Sequence, residues 1–364
     1  MKLKSPIISI LDRYIIGKFL GTFFYTIVLI ISIAMVFDIS ENLDEFLSKD
    51  IPVKTIITDY YMNFVPYFAN LFSALFTFIA VIYFTSKMAY NSEIIAILSS
   101  GVSFHRFVRP YMVGAAVIAL FSYVLGDYII PPANRTMNDF KNTYIKQKRN
   151  NVETNIHRQL SPGVFIYMRS YNPSNDWGHR FTIERFDEGK LASKLVADYI
   201  QWDRERKVWV LNNFYIRDID GLTEKITTGT KRDTTLNMLP EDYITTNNMA
   251  ETLPLPALNR EIATQKTRGM NTTEFEIEKQ RRRSGPFSAF ILTIIGVSLA
   301  SRKVKGGLGL HLGLGILICF SYIMFMQIST VFAVSGSVPP IVAVWIPNLL
   351  FGGLAAYLYR MAMR

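Results

Sequence analysis

Apolar residues along this chain gather in six long runs, at about 15–37, 64–85, 111–130, 287–301, 308–334 and 341–358, divided three and three by a polar stretch. A hydrocarbon core of about 30 Å needs roughly 20 apolar residues of helix at 1.5 Å rise per residue. The runs approach that length, the fourth only with help from its flanks. The pattern predicts an α-helical polytopic membrane protein with six transmembrane helices and one large inserted domain. Residues 1–134 hold the first three helices, 135–270 the insert and 271–364 the last three. Within the insert the periodicity changes. Residues 135–150 are polar with some apolar spacing and predict an outward continuation of the third helix. β-prone runs follow at 164–168, 181–183, 199–202, 208–211 and 226–228, with Ile216 between the last two. Turn-rich segments separate them: 186–190, the charged tip 203–207, and Asp220–Gly221. Strands at roughly 8–12-residue spacing predict an all-β, jellyroll-like or sandwich domain. Pro254 and Pro256 predict an extended return to the membrane.

Half of the residues are hydrophobic, yet mean hydropathy is only +0.20, because the polar insert dilutes the spans. The net charge of +10 admits nucleic acid, anionic lipid or membrane orientation as its cause. Six spans favour the last two, and no nucleic-acid partner is expected. Counting cations gives a side. Lys2, Lys4, Arg13 and Lys18 precede the first run, and Lys87, Arg106 and Arg109 lie between the second and third. Arg302, Lys303 and Lys305 lie between the fourth and fifth, and Arg360 and Arg364 follow the sixth. With six spans all four groups fall on one side, which predicts cytoplasmic termini and an extracytoplasmic insert. Lys2 and Lys4 ahead of Ile7–Leu11 resemble the basic flank of a signal peptide, but Asp12, Arg13 and Lys18 interrupt that apolar stretch and no small-residue cleavage site follows promptly, so the start reads as an uncleaved cytoplasmic tail. Arg281, Arg282 and Arg283 dissent by falling on the outer side. Each cation near an anionic surface contributes on the order of 1 kcal/mol, so these three are candidate contacts for anionic headgroups or lipid phosphates. A solvated turn before Pro286 explains them equally well.

Catalytic chemistry is sparse. Gly17–Lys18 lacks the upstream glycine and the following Ser or Thr of a phosphate-binding loop. His105, His157, His179 and His311 have no metal-ligand spacing, and the lone Cys319 permits neither an internal disulfide nor a cysteine-based metal site. Gly296–Val297–Ser298–Leu299–Ala300 half resembles a nucleophile elbow but has no strand before it, so it reads as helix packing. Gly309 and Gly313 have GxxxG spacing, which suits close helix contact or simple packing freedom. Asp38, Asp59 and Asp127 lie towards span ends, which leaves no midplane ionisable relay of the kind ion-driven transport uses. One short segment stands out, near 91–101. Asn91 or Ser92 can cap a helix, Glu93 suits its positive end, and Ile94, Ile97 and Leu98 form one apolar stripe. Gly101 suits the turn that ends it. Such a helix can lie on the bilayer or dock on a partner, and periodicity alone does not choose.

Several stretches in order carry a resemblance. They are Leu11–Asp12–Arg13–Tyr14, then Ser92–Glu93–Ile94–Ile95–Ala96–Ile97–Leu98–Ser99–Ser100–Gly101–Val102–Ser103, then Pro286 opening the fourth span. Ser301–Arg302–Lys303 with Gly306–Gly307, and Trp345–Ile346–Pro347–Asn348, complete the set. Over nearly its whole length the chain resembles the LptF/LptG (YjgP/YjgQ-type) permeases of lipopolysaccharide export, with a lean towards LptG. The resemblance implies a non-catalytic permease subunit that moves lipopolysaccharide from the outer leaflet of the inner membrane towards a periplasmic bridge. It also implies a sister LptF/LptG-type permease, a cytoplasmic ABC ATPase dimer that binds the ATP and Mg, and a single-span, LptC-like jellyroll partner. No cofactor is expected in this chain. The segment near 91–101 becomes the ATPase-coupling helix, with Glu93, Ile94, Ile97, Leu98 and Gly101 as its residues and Arg106 as a second polar contact. One departure matters. LptG-type proteins carry lysines near the outer end of the first span, where this chain has Asp38, Glu41, Asp44 and Glu45, with Lys49 further on. The resemblance therefore brings no phosphate contact to those positions. The competing reading is a membrane scaffold or sensor with a ligand-binding outer β domain; a membrane-embedded enzyme is disfavoured by the missing catalytic clusters.

Overall fold

Ser9 starts the first helix. Its hydroxyl accepts from the Asp12 amide while the Asp12 carboxylate accepts from the Ser9 amide, a reciprocal cap on two otherwise orphaned donors. The computed structural model describes residues 9–145, 153–173, 175–221, 223–236, 238–240, 249–302 and 307–363. Lys2, Lys4, Lys303, Lys305, Gly306 and Arg364 lie outside that set, as do 146–150 of the expected helical continuation. Helix α1 runs Ile10–Ser48. Its 39 residues amount to about 58 Å, roughly twice the hydrocarbon thickness. Ile15, Phe19, Phe23, Ile27 and Ile31 fall four apart, so one stripe is buried.

The second apolar run is not one helix. After α2 (Val53–Thr55) a π-helix spans Ile56–Tyr61, then come α3 (Met62–Leu71) and α4 (Ser73–Tyr90). Pro66 lies inside α3 and offers no N–H to the ladder, and the turn just before it is widened, with the Met62 amide bonded back to Ile57. Phe72 (φ −97°, ψ 7°) then breaks the run between α3 and α4. Helix α5 (Glu93–Ser99) leads to α6 (Phe104–Val124), a π-helix at Leu125–Ile129, α7 (Ile130–Phe140) and a π-helix at Lys141–Ile145. This run confirms that the third helix continues beyond its apolar part, as far as Ile145. Pro131 and Pro132 explain the first widening, since neither can donate into the preceding turn.

The insert is all-antiparallel. Strands β1 (Glu153–Ser161), β2 (Val164–Asn172), β3 (Trp177–Asp187), β4 (Lys190–Asp203), β5 (Val208–Asp220) and β6 (Thr223–Thr234) each pair with their sequence neighbours, a meander of six. Hairpins fall at the expected turns, with Glu188 and Gly189 at positive φ (48° and 79°) between β3 and β4. Ile166, Met168, Phe181, Ala197, Ile200, Trp209 and Leu211 bury one face, and the Trp209 indole donates to the Met238 carbonyl at 2.8 Å. The return path differs from the expectation. In place of an extended segment, α8 (Met249–Thr252) and α9 (Leu255–Thr267) follow, with Pro254 and Pro256 at the start of α9. A proline there gives up only amides that a first turn leaves unbonded.

Helices α10 (Thr273–Ala300), α11 (Gly307–Val334) and α12 (Pro340–Ala362) complete the chain. The fourth span is therefore longer than its apolar run, and Pro286 lies within α10 and does not open it. The chain divides into two compact units: the helical bundle with 250–258, and the sheet with 259–272. Among the described residues six helical runs are long and apolar enough to cross a membrane. In the bundle α4 and α10 are central, with 67% and 56% of their most apolar windows buried, against 22% for α1 and α11. Lipid is as apolar as leucine, so the exposed Phe and Leu of the outer helices cost nothing there. Asn348 ties three spans together: it accepts from the Tyr322 hydroxyl (2.8 Å) and donates to the Ser284 carbonyl (3.1 Å).

Small residues sit where helices touch, but not at the GxxxG pair. Gly309 and Gly313 face open space, whereas a methyl group on Gly296 would meet Val81 at 2.7 Å and one on Gly315 would overlap Ile82. Gly315→Val should therefore lower the thermal midpoint of the detergent-solubilised protein, with overpacking costing about 1–3 kcal/mol. Gly313→Val should leave it unchanged; equal losses in both would refute this account of the packing.

Candidate functional site

The segment near 91–101 forms a short helix held against the bundle. Ser92 occupies the N-cap position in the left-handed region (φ 63°) but makes no side-chain capping hydrogen bond, so the side-chain cap expected from Asn91 or Ser92 is not formed. Asn91 does something else. Its amide donates to Glu93 Oε1, and the Tyr14 hydroxyl from α1 donates to Glu93 Oε2, each at 3.2 Å. Glu93 is thus oriented from two sides at the positive end of the helix. Ile94 is buried and Ile97 packs against the same core of α1, α4 and α6 residues. Leu98 is 37% exposed and Ile95 53%. At 100° per residue Leu98 falls between Ile94 and Ile95, which leaves it at the boundary while Ile95 points outward. Two of the three residues of the expected stripe, Ile94 and Ile97, are therefore anchors; Leu98 lies at the edge, and Ile95, outside the stripe, is the outward apolar residue. Gly101, at φ 89°, ends the helix in a conformation that side chains resist.

Arg106 is engaged within the chain. Its guanidinium meets both Asp12 oxygens at 2.6 Å and Ser9 Oγ at 3.2 Å, pinning the start of α6 to the start of α1. Sequence reading missed Asp12 and Tyr14 as parts of this platform. Their only local signal was the Leu-Asp-Arg-Tyr stretch itself.

The three arginines occupy helix α10, so they are not a turn before Pro286, and at 100° steps they point three ways. Arg282 is buried: it bonds Glu278 (2.8 Å) and the carbonyls of Leu253 (2.8 Å) and Ala250 (3.0 Å). Arg281 is half exposed, 3.6 Å from Glu278 and 3.8 Å from Glu251. Arg283 is exposed. The acidic end of α1 is also partly committed, since Asp38 accepts from the hydroxyls of Tyr60 (3.0 Å) and Tyr61 (2.9 Å). Lys49 donates to the Tyr144 carbonyl and Lys141 lies 5.4 Å over the Tyr60 ring.

No curated protein matches the chain. The family model for the lipopolysaccharide export system permease LptF/LptG matches residues 13–361, from the first helix to the last, and it covers LptF and LptG alike. With its two sets of three apolar helical runs and an antiparallel β insert between them, the chain belongs to the LptF/LptG family of permeases.

Proposed function

We propose that this chain is one permease subunit of an ATP-driven lipopolysaccharide extractor in the bacterial inner membrane. The ATP and Mg are bound by a cytoplasmic ABC ATPase dimer, a sister permease completes the membrane passage, and a single-span jellyroll protein continues it. The observation that carries this reading is the family match over residues 13–361, supported by a bundle that presents Glu93 on an anchored helix. On this reading α5 and both termini are cytoplasmic and the β insert is periplasmic. Lipopolysaccharide leaves the outer leaflet and passes to the insert. Arg283 meets the phosphates of the transported lipid from the surface of α10, Arg281 meets the phosphate of a bilayer lipid in a cavity of the bundle, and Arg282 holds α8 in place. The direct test is purification with its partners and ATP-dependent release of lipopolysaccharide from proteoliposomes; absence of an ATPase and of release would reject it.

Topology is tested separately. Cys319 is buried, so Glu205→Cys in the exposed β4–β5 turn provides a single reactive thiol. It should react with a membrane-impermeant maleimide in cells whose inner membrane is intact. Labelling only after that membrane is ruptured would invert the orientation.

A further inference from the structure

Within the helical unit, residues of α3, α4, α6, α7, α8, α10 and α11 line an open cavity of about 210 Å³, far more than the roughly 10–15 Å³ a single water requires. Its walls define an occupant. Glu251, Glu278 and Arg281 line it, and the Arg281 guanidinium stands 3.6 Å and 3.8 Å from those carboxylates, beyond hydrogen-bond distance. Arg282, also in the wall, is already spent on Glu278 and two carbonyls. A bare anion placed here meets two carboxylates, and a bare cation meets the guanidinium. A zwitterion satisfies both.

Asn134 narrows the choice. It lines the cavity, is only 2% exposed, and its Oδ1 has no hydrogen-bond partner. A buried acceptor of that kind calls for an N–H or O–H donor. Leu71, Ile130, Ile323 and Met326 add apolar wall among polar residues such as Asn70, Gln327 and Thr330, and Leu71 is half exposed, so the cavity adjoins apolar surface. Burial, with Glu278 beside it, pushes the Glu251 carboxyl up, while Arg281 and Arg282 pull it down. A cation in the cavity would favour its ionised form.

We propose that this cavity binds the headgroup of a phospholipid that carries a primary ammonium beside its phosphate, the phosphatidylethanolamine class. The phosphate meets Arg281; the ammonium meets Glu251 and Asn134 Oδ1. A choline headgroup has no N–H to donate, and a glycerol headgroup has no cation. The proposal rests on the reading of these helices as membrane spans and assigns a lipid distinct from the polyanionic cargo.

The full chain, with whatever partners co-purify, is reconstituted in nanodiscs of equal parts phosphatidylethanolamine, phosphatidylcholine and phosphatidylglycerol, then released and weighed by native mass spectrometry. Phosphatidylethanolamine should be retained several-fold over the other two. Arg281→Ala and Asn134→Leu should abolish the preference. Asn134→Asp, which keeps the shape and the acceptor, should preserve it, as should Arg109→Gln at the other end of the third span. Arg281 is half exposed, so its replacement leaves packing intact even if Asn134→Leu does not fold. Equal retention of all three lipids, or a preference that survives Arg281→Ala, would overturn the proposal. So would displacement of the retained lipid by added lipopolysaccharide, which would make the cavity part of the cargo path. Retention reads neither ATPase nor transport, so its failure leaves the permease reading standing.

Discussion

Glu93→Lys protein should insert normally, lose its ATPase on purification, and release no lipopolysaccharide. Glu93 opens α5, where a carboxylate is favoured and an ammonium disfavoured by about 0.3–1 kcal/mol. Tyr14 and Asn91 each give a hydrogen bond to its carboxylate, and both donors would instead face a cation. On the proposed reading the larger loss is at the interface. Reversing a charge that pairs across a desolvated contact costs roughly 2–5 kcal/mol, which is a thirty-fold or greater weakening. The anchoring of α5 does not depend on Glu93, since Ile94 and Ile97 supply it, so the bundle should keep its thermal midpoint. An acidic replacement on the facing surface of the ATPase should restore binding to the variant. Normal co-purification and transport by Glu93→Lys would remove the docking role from this residue.

The spans were legible because two constraints coincide: the length a bilayer demands and the apolar composition it rewards. The break at Phe72 was not, because a proline such as Pro66 kinks or spares a helix according to its neighbours. β2 to β5 announced themselves by apolar runs between turn residues. β1 did not, since Glu153–Ser161 carries little beyond Ile156 and Leu160 as apolar signal and is recruited by pairing with β2. Pro254 and Pro256 were legible as breakers but not as helix starters, because the same residues serve both purposes. At the site, Glu93 and Gly101 could be found because their roles follow from position in one short helix. Their partners could not. Tyr14 lies 79 positions from Glu93 and Asp12 lies 94 from Arg106, separations that only the packing of α1 against α5 and α6 closes. The arginine triplet was visible, but its division into one buried and two more accessible side chains follows from helix phase and from carbonyls supplied by Ala250 in α8 and by Leu253 just after it.

Arg106→Ala should detach the ATPase although Glu93 itself is unaltered. Asp12 is almost fully buried, and Arg106 supplies two of the hydrogen bonds that satisfy its carboxylate. Removing the guanidinium leaves a charge with only Ser9 for company, a loss that reaches about 3–5 kcal/mol for a fully buried pair. The Arg106 side chain is 35% exposed, and solvent screening brings the expectation down to about 1–3 kcal/mol. Asp12→Ala should cost less through the pair, because the freed arginine can reach water, but it also removes half of the reciprocal cap on α1. The two losses share one interaction, so Asp12→Ala/Arg106→Ala should be no less stable than Arg106→Ala alone. Amide exchange separates positioning from general unfolding. In Arg106→Ala, protection should fall across 93–106 and at the start of α1, with α10 to α12 unchanged, and ATPase co-purification should fall with it. Additive losses in the double variant, or loosened α10 to α12 amides, would show that the pair merely stabilises the bundle and does not hold the docking helix in position.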